Sequence, residues 1–208
     1  MDFTDTNKKT IQVYEENIDK FVDKTASTCN NMPREWIDLA LKMMPVNQKI
    51  LELGSATGRD AVYIKDLGYD IRCTDIVDGF LKILKERGLS PDKLNAITDD
   101  IGGSYGMVLA NCVFLHFNNE ELHSVLKKTH ETLTSRGVLA CSFMLGQGEM
   151  WRNHKVAGRY FHLWQPEEIM AVLRQHGFKT EYMRAGDLPS YADKFYIIAT
   201  KIPTEKSV

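Results

Sequence analysis

The sequence predicts one α/β domain built around a doubly wound, mostly parallel β-sheet. Its 208 residues, 43% of them hydrophobic, suffice to bury one sizeable core and are too few for two. From about residue 48 onward, short β-like runs alternate with helical stretches, a pattern typical of right-handed βαβ crossovers. The last two β-like runs break the alternation, because the loop between them is too short for a crossover. We expect these two strands to pair antiparallel or to lie apart.

The apolar pattern and the turn residues place seven strands and four core helices. The strands are expected at residues 49–54, 69–75, 94–100, within 105–117, and at 137–145, 178–184 and 194–201. The helices are expected at residues 59–68, 77–88, 119–134 and 166–177. Residues 143–164 read as a long irregular segment. We therefore predict a single domain, 1–208, with an N-terminal helical cap over residues 1–45 and an α/β core over 46–208.

The charge balance excludes some classes of protein. Twenty-six Lys+Arg against 28 Asp+Glu give a formal net charge of -2, which argues against binding nucleic acid through bulk electrostatics. The longest uncharged apolar run, near residues 107–117, is far shorter than the ~20 residues that span a bilayer. The first residues lack the basic-then-apolar order of a secretion signal. We expect no membrane association.

The four cysteines give no metal or redox motif. Cys29, Cys73, Cys112 and Cys141 form no CxxC pair, so we expect free thiols, no bound metal and a reducing, cytoplasmic environment.

The most informative segment is residues 50–60, ILELGSATGRD, which reads as a strand, a glycine turn and a helix. Gly54 allows a tight turn, and Gly58 allows the helix N-terminus to approach a ligand. The G-x-x-x-G spacing differs from the G-x-G-x-x-G of pyrophosphate binders. Such a turn is a weak signal by itself, since many α/β proteins have one for packing.

Three acids at predicted strand ends strengthen the signal of a ligand site that the glycine turn gives. Asp75 ends the second strand about 20 residues after the turn, where a carboxylate can accept hydrogen bonds from both hydroxyls of a ribose. Asp100 follows the third strand and could meet an adenine amino group, and Glu52 directly precedes the glycines. The carboxyl ends of parallel strands meet in one crevice, so we expect these acids to lie together.

The order of these motifs resembles the class I S-adenosylmethionine-dependent methyltransferases. The matching stretches are LELGSATGRD, CTDI, DDI, VLANCVFLHF, RGVLACSF, RYFHLWQPEEIMAVLRQHGF and FYIIATK. The resemblance runs from about Tyr14 to near the end of the sequence. It implies a seven-stranded sheet with an antiparallel last strand, S-adenosylmethionine as cofactor, a small-molecule acceptor and a monomer or homodimer.

The resemblance also implies which residues hold the cofactor. Its methionine part would contact Gly54, Ser55, Ala56 and Gly58, with Glu52 beneath and Arg59 on its carboxylate. Asp75 would hold the ribose, and Asn111 and Cys112 would offer backbone groups to the ammonium. The adenine would lie among Ile76, Asp99, Asp100 and Ile101. Tyr14 and Phe21 resemble a Y-x6-Y/F helix that folds over the cofactor.

Two positions depart from the family pattern. Ala56 replaces the middle glycine of the turn, and Tyr105-Gly106 stands where an acid usually precedes the fourth strand. Ala56 narrows the glycine turn. The absence of an acid before the fourth strand removes one family motif, but none of the cofactor contacts named above depends on that acid.

His116 is the candidate general base, because it follows the fourth strand and has an ordinary pKa near ~6.5. Alternatively it packs against Phe117 and hydrogen-bonds a backbone group. The sulfonium methyl is already activated, so positioning supplies much of the catalysis and no base is obligatory.

Residues 143–164 would form the acceptor side of the crevice. The candidate acceptor contacts are Trp151, Arg152, His154, Arg159, Tyr160 and Phe161, together with Phe21 from the cap. Arg159 could pair with an acceptor carboxylate or with Glu149. In the simpler alternative, the aromatic residues only fix this segment to the sheet.

Three functions remain open from the sequence. The first is methyl transfer to an oxygen, a nitrogen or a carboxylate of a small molecule. The second is a regulatory protein that binds S-adenosylmethionine without catalysis, and the third is a nicotinamide-linked reductase. The acceptor itself cannot be read from the sequence.

Overall fold

The computed structural model describes residues 5–152, 158–185 and 194–203. The described helices are α1 (Asp5–Glu15), α2 (Ile18–Asp23), α3 (Asn31–Met43), α4 (Arg59–Asp66), α5 (Asp78–Glu86), α6 (Asn119–Thr132) and α7 (Pro166–Gln175). The strands are β1 (Ile50–Glu52), β2 (Ile71–Asp75), β3 (Asp92–Lys93), β4 (Tyr105–Ala110), β5 (Leu133–Leu145), β6 (Gly148–Arg152), β7 (Arg159–Trp164), β8 (Phe178–Ala185) and β9 (Lys194–Lys201). A short 3-10 turn covers Phe114–His116.

The strands form one mixed sheet in which β3, β2, β1, β4 and β5 are parallel neighbours in that order. Strand β9 pairs antiparallel with β5, and β8 pairs antiparallel with β9. The predicted fold class is therefore confirmed, including the reversal at the C-terminal edge.

Helices cover both faces of this sheet, because apolar side chains of the buried strands point alternately to one face and to the other. Val108 and Ala110 of β4 pack with Leu122 and Val125 of α6 on one face. Met107 and Leu109 pack on the other face, in the cluster that contains Trp36 of α3. Successive side chains of a strand point to opposite faces, so a continuously apolar strand needs a covering layer on each side.

The third strand differs from the prediction. Residues 94–100 form turns instead of a strand, and β3 is the two-residue segment before them. The Asp99 carboxylate accepts from Asn95 N at 2.8 Å, and the Asn95 side chain accepts from Ile97 N at 2.9 Å. These local hydrogen bonds to side chains occupy backbone N–H groups that a β-strand would use to pair with its neighbour.

The sequence predicted an irregular segment over residues 143–164. The structure instead contains a hairpin there. Strands β6 and β7 pair antiparallel, and β7 continues onto β5 at Met144 and Leu145. Strand β9 occupies one edge of β5 as far as Met144, so β7 lies on the other edge, beyond the end of β4. The sheet therefore has nine described strands instead of the predicted seven.

Helix α1 crosses the carboxyl ends of the strands. Thr10 Oγ1 accepts from Tyr160 N of β7 at 3.1 Å, and Asn7 accepts from the Asn95 amide at 3.0 Å. At its far end, the Glu15 carboxylate accepts from the backbone N–H of Gly79 at 3.2 Å. None of the described helices is both long enough and apolar enough to traverse a bilayer.

Candidate functional site

A cavity of about 570 Å³ opens at the carboxyl ends of β1, β2 and β4, between the sheet and helix α1. Of the residues predicted as site residues, those that line it are Tyr14, Phe21, Glu52, Gly54, Ser55, Ala56, Arg59, Asp75, Ile76, Asn111, Cys112, His116, Arg152, Arg159 and Phe161. This crevice is the position at which open α/β sheets bind ligands.

The glycine turn forms the floor of the cavity. Gly54 has a φ of +64°, and a Cβ placed there would lie 2.6 Å from Cγ2 of Val113. Both the left-handed conformation and the close approach of Val113 require glycine at this position. The backbone N–H of Ser55 donates to the carbonyl of Thr74 at 2.8 Å, which joins the turn to β2.

The Asp75 side chain is fixed at the end of β2. Its Oδ2 accepts from Ala56 N and its Oδ1 from Val77 N, each at 2.9 Å. Burial raises the pKa of this carboxyl to about 6, although the hydrogen bonds to Val77 and Ala56 oppose that change. Each oxygen retains a second lone pair, so the carboxylate can accept two further hydrogen bonds from a ligand.

Glu52 is a buried acid below the turn, with 3% of its surface exposed. Burial, and then the negative charge of Asp60, raise the pKa of its carboxyl to about 8. Its Oε2 atom has no hydrogen-bond partner within the described part of the chain. A buried polar atom without a partner at a cavity wall is suited to a polar or cationic ligand group.

Arg59 is bound by a neighbour on its own helix. Its Nε and Nη2 donate to the two Asp60 oxygens at 2.6 and 2.8 Å, and the Asn111 amide donates to Asp60 Oδ2 at 2.7 Å. The Cys112 N–H donates to Ser142 Oγ at 2.8 Å, so this donor already has an acceptor within the protein.

A chain of hydrogen bonds joins helix α1 to the opposite wall. Arg159 Nη1 donates to the Tyr14 hydroxyl at 2.8 Å, and that hydroxyl lies 2.9 Å from Nε2 of His116. Nδ1 of His116 lies 2.7 Å from the carbonyl oxygen of Tyr160, which can only accept. His116 is therefore the Nδ1–H tautomer, and its Nε2 accepts from Tyr14.

This geometry does not favour the expectation that His116 is a general base. Burial lowers the pKa of its imidazole to about 3, and both ring nitrogens already have partners. The hydrogen bond to a backbone group, which belongs to the alternative interpretation, is present.

Six predicted site residues do not line the cavity. Gly58 faces helix α5, where a Cβ would lie 2.7 Å from Leu84. Asp99 and Asp100 are exposed and bond within their own turn, and Ile101 is buried in the core. Trp151 and Tyr160 face away because they form a cross-strand pair one residue out of phase with the cavity face of the hairpin.

Several cavity residues were missed by the sequence. Asn95 and Ala96 occupy the region expected for Asp100, since the turn at 94–100 brings them inward. Phe80 packs against Tyr14 and Phe21 at steep angles between the ring planes, with ring centroids 5.6 and 5.2 Å away. Lys24, Asn30 and Asn31 lie far from Lys194 in the sequence, and no local signal unites them. His154 and the rest of 153–157 lie outside the described residues.

The sheet order and the crevice define the class of Rossmann-like α/β domains. Within that class, residues 51–139 match a protein-family model described as "Methyltransferase domain". This match agrees with the resemblance drawn from the sequence, and the matched residues belong to the α/β core of the chain.

Curated relatives are similar to part of the chain. The chain is 29% identical over 90 residues to the probable S-adenosyl-L-methionine-dependent methyltransferase TehB of Haemophilus influenzae, an alignment that covers 40% of this chain. It spans only 31% of the length of that relative.

Solved structures share the fold over most of the chain. The CcbJ methyltransferase from Streptomyces caelestis superposes with a TM-score of 0.73 at 14% identity and covers 92% of this chain and 98% of its own. The [4+2]-cyclase SpnF gives a TM-score of 0.73 at 14% identity, with 97% of each chain covered. At such identities the similarity concerns the fold alone.

Proposed function

We propose that this protein is an S-adenosylmethionine-dependent methyltransferase that acts on an oxygen or nitrogen atom of a small molecule. The observation that carries the proposal is the Asp75 carboxylate, buried at the end of β2 and held by Ala56 N and Val77 N with lone pairs available beside the glycine turn. The methyltransferase-domain match over residues 51–139 supports it.

The cavity residues fit the cofactor. Asp75 would accept from the two ribose hydroxyls, and the glycine turn, which lines the cavity at Gly54 and Ser55, would contact the methionine part. Glu52, with its unpartnered oxygen, would accept from a cationic group. Ile76 and Ala96 would contact the faces of the adenine, and the Asn95 side chain lies beside them.

When bound, S-adenosylmethionine supplies a methyl group activated by its sulfonium. The task of the protein is then to position the acceptor and to exclude water, and positioning can contribute ~7–11 kcal/mol in favourable cases. Tyr14 and Phe21 close the cavity from the side of the N-terminal helices, and His116 fixes the Tyr14 hydroxyl. His116 is thus a positioning residue in this proposal.

Activities other than methyl transfer have to be tested as well, because SpnF has this fold and is described as a [4+2]-cyclase. A nicotinamide-linked reductase is not favoured, since the turn has G-x-x-x-G spacing in place of the pyrophosphate-binding pattern. A cytoplasmic location, a single domain and a small-molecule acceptor without nucleic acid belong to this proposal.

Ligand-dependent stabilisation tests the proposal. S-adenosylhomocysteine at 100 times its Kd should add about 2.7 kcal/mol to the free energy of unfolding, whereas NADH should not stabilise the protein. A matched control is Asp70→Ala, which removes an exposed carboxylate far from the cavity, against Asp75→Ala. Stabilisation by NADH, or equal stabilisation by S-adenosylhomocysteine in the Asp75 variant, would overturn the proposal.

Turnover separates an enzyme from a regulatory binder. Incubation with methyl-labelled S-adenosylmethionine and a panel of small acids, amines and phenols should label one group of acceptors. The same incubation is repeated with fractions of a metabolite extract. If S-adenosylmethionine binds but no label is transferred to any compound, the regulatory alternative is favoured.

A further inference from the structure

The turn at residues 94–100 is built around the Asn95 side chain. Asn95 lines the cavity, and only 3% of its surface is exposed. Its side-chain oxygen accepts from Ile97 N at 2.9 Å, and its side-chain amide donates to Asn7 of α1 at 3.0 Å. A backbone N–H can only donate, so the bond from Ile97 fixes the position of the Asn95 oxygen.

Asp99 holds the backbone of the same residue. The Asp99 carboxylate accepts from Asn95 N at 2.8 Å, and the Asp99 N–H donates to the Asn95 carbonyl at 2.9 Å. Ile97 and Asp99 together therefore fix both the side chain and the backbone of Asn95.

One cation on helix α6 binds these same two residues. The ammonium of Lys128 donates to the carbonyl oxygen of Ile97 at 2.9 Å and to that of Asp99 at 2.8 Å. Hydrogen bonds from a charged donor are roughly twice as strong as neutral ones, so this contact holds the turn against α6. Both acceptors are backbone groups, and Lys128 therefore acts on the shape of the turn.

The end of the segment beyond the turn has a separate anchor. Four residues after Lys128, Thr132 Oγ1 donates to the carbonyl of Gly102 at 2.7 Å. Residues four apart lie on the same face of a helix. Neither Thr132 nor Gly102 is among the described residues that line the cavity. The two anchors can thus be removed independently, and only the one at Lys128 holds a cavity-lining turn.

We propose that Lys128 is a positioning residue for the recognition of adenine. This inference rests on the proposed function, in which the adenine lies beside Asn95 and Ala96. Through Ile97 and Asp99, Lys128 holds the Asn95 oxygen where its second lone pair accepts from the amino group of the base. A base with a carbonyl at that position would present an acceptor to an acceptor, and a site built for a donor rejects such a base.

Nucleobase selectivity tests this role. Calorimetry measures the Kd of S-adenosylhomocysteine and of its deaminated analogue S-inosylhomocysteine, which has a carbonyl in place of the amino group. The wild-type protein should bind the adenine compound about tenfold more tightly, since the analogue leaves a buried acceptor unpaired. In Lys128→Met, whose side chain is of similar length but has no donor, the preference should fall to about threefold or less.

Matched variants separate positioning from a general loss of stability. Thr132→Val removes the anchor at Gly102 and should lower the free energy of unfolding in urea, while the adenine preference stays within about twofold of the wild type. Lys127→Met, at the exposed neighbouring position, should change neither quantity. Lys128→Arg keeps a cationic donor and should retain more of the preference than Lys128→Met.

The outcomes distinguish this inference from the proposed function. If S-adenosylhomocysteine fails to bind the wild-type protein, the proposed function is wrong and the inference falls with it. If it binds, the inference alone is overturned by any of three results: no adenine preference in the wild type, a full preference in Lys128→Met, or an equal loss in Thr132→Val. If Lys128→Met does not fold, Lys128→Gln takes its place, and an unchanged preference in that variant overturns the inference.

Discussion

The hydroxyl of Tyr14 lies 2.9 Å from Nε2 of His116, although the two residues are 102 positions apart in the sequence. The same hydroxyl accepts from Arg159 at 2.8 Å. One phenol thus joins helix α1, the turn after β4 and the hairpin strand β7. The cavity is closed by a side chain from the N-terminal helices.

Removal of that hydroxyl should loosen the closure. Tyr14→Phe leaves Arg159 and His116 without their shared partner, and such losses at buried sites cost about 1–3 kcal/mol. Urea unfolding measures the change. Tyr69→Phe, a hydroxyl deletion at a tyrosine packed beside the Trp36 cluster, should cost less than about 1 kcal/mol. Equal losses in the two variants would contradict the role given to the Tyr14 hydroxyl.

His116 should stay neutral throughout the pH range of activity. Burial holds the pKa of its imidazole near 3, so NMR of the ring should show no titration between pH 5 and 9. His116→Gln keeps an acceptor for Tyr14 and should retain more S-adenosylhomocysteine affinity than His116→Ala. A ring that titrates near pH 6.5 would restore the general-base interpretation.

Cofactor affinity should depend on the ionisation of Asp75. Its pKa is raised to about 6, and only the ionised carboxylate accepts from two ribose hydroxyls. The affinity for S-adenosylhomocysteine should therefore fall as the pH drops below about 6 and level off above it. Calorimetry at several pH values measures this. In Asp75→Asn the affinity should be about 10–100-fold lower at pH 8, and the step near pH 6 should vanish.

Glu52 should make stability depend on pH in a defined direction. Its pKa is raised from 4.5 to about 8, so between these values the folded protein holds a proton that the unfolded chain has released. The free energy of unfolding should then fall as the pH rises from about 4.5 to 8. Urea titrations across this range measure the slope. Glu52→Gln, uncharged at every pH, should flatten it, and an unchanged slope would refute the assignment.

Gly54→Ala should damage both the fold and the site. The new Cβ would lie 2.6 Å from Val113 Cγ2, at a φ of +64° that alanine disfavours. We expect a loss of about 1–3 kcal/mol and weaker binding of S-adenosylhomocysteine, measured by unfolding and calorimetry. Gly68→Ala measures the cost of the left-handed backbone conformation alone. Gly68 has a φ of +90°, and no atom lies within 4 Å of the place where the new Cβ would be.

The fold class, the glycine turn and the acid at the end of β2 could all be predicted from the amino-acid sequence. These depend on local patterns: apolar runs that need two covering layers, a glycine in a left-handed turn, and an acid about 20 residues later. The rest of the site depends on contacts that only the folded chain makes. Folding placed Asn95 instead of Asp100 in the cavity, because side-chain bonds within 94–100 replaced a strand. It also opposed Arg152 to Arg159, since strand register is set by pairing between distant residues and leaves no local signal in the sequence.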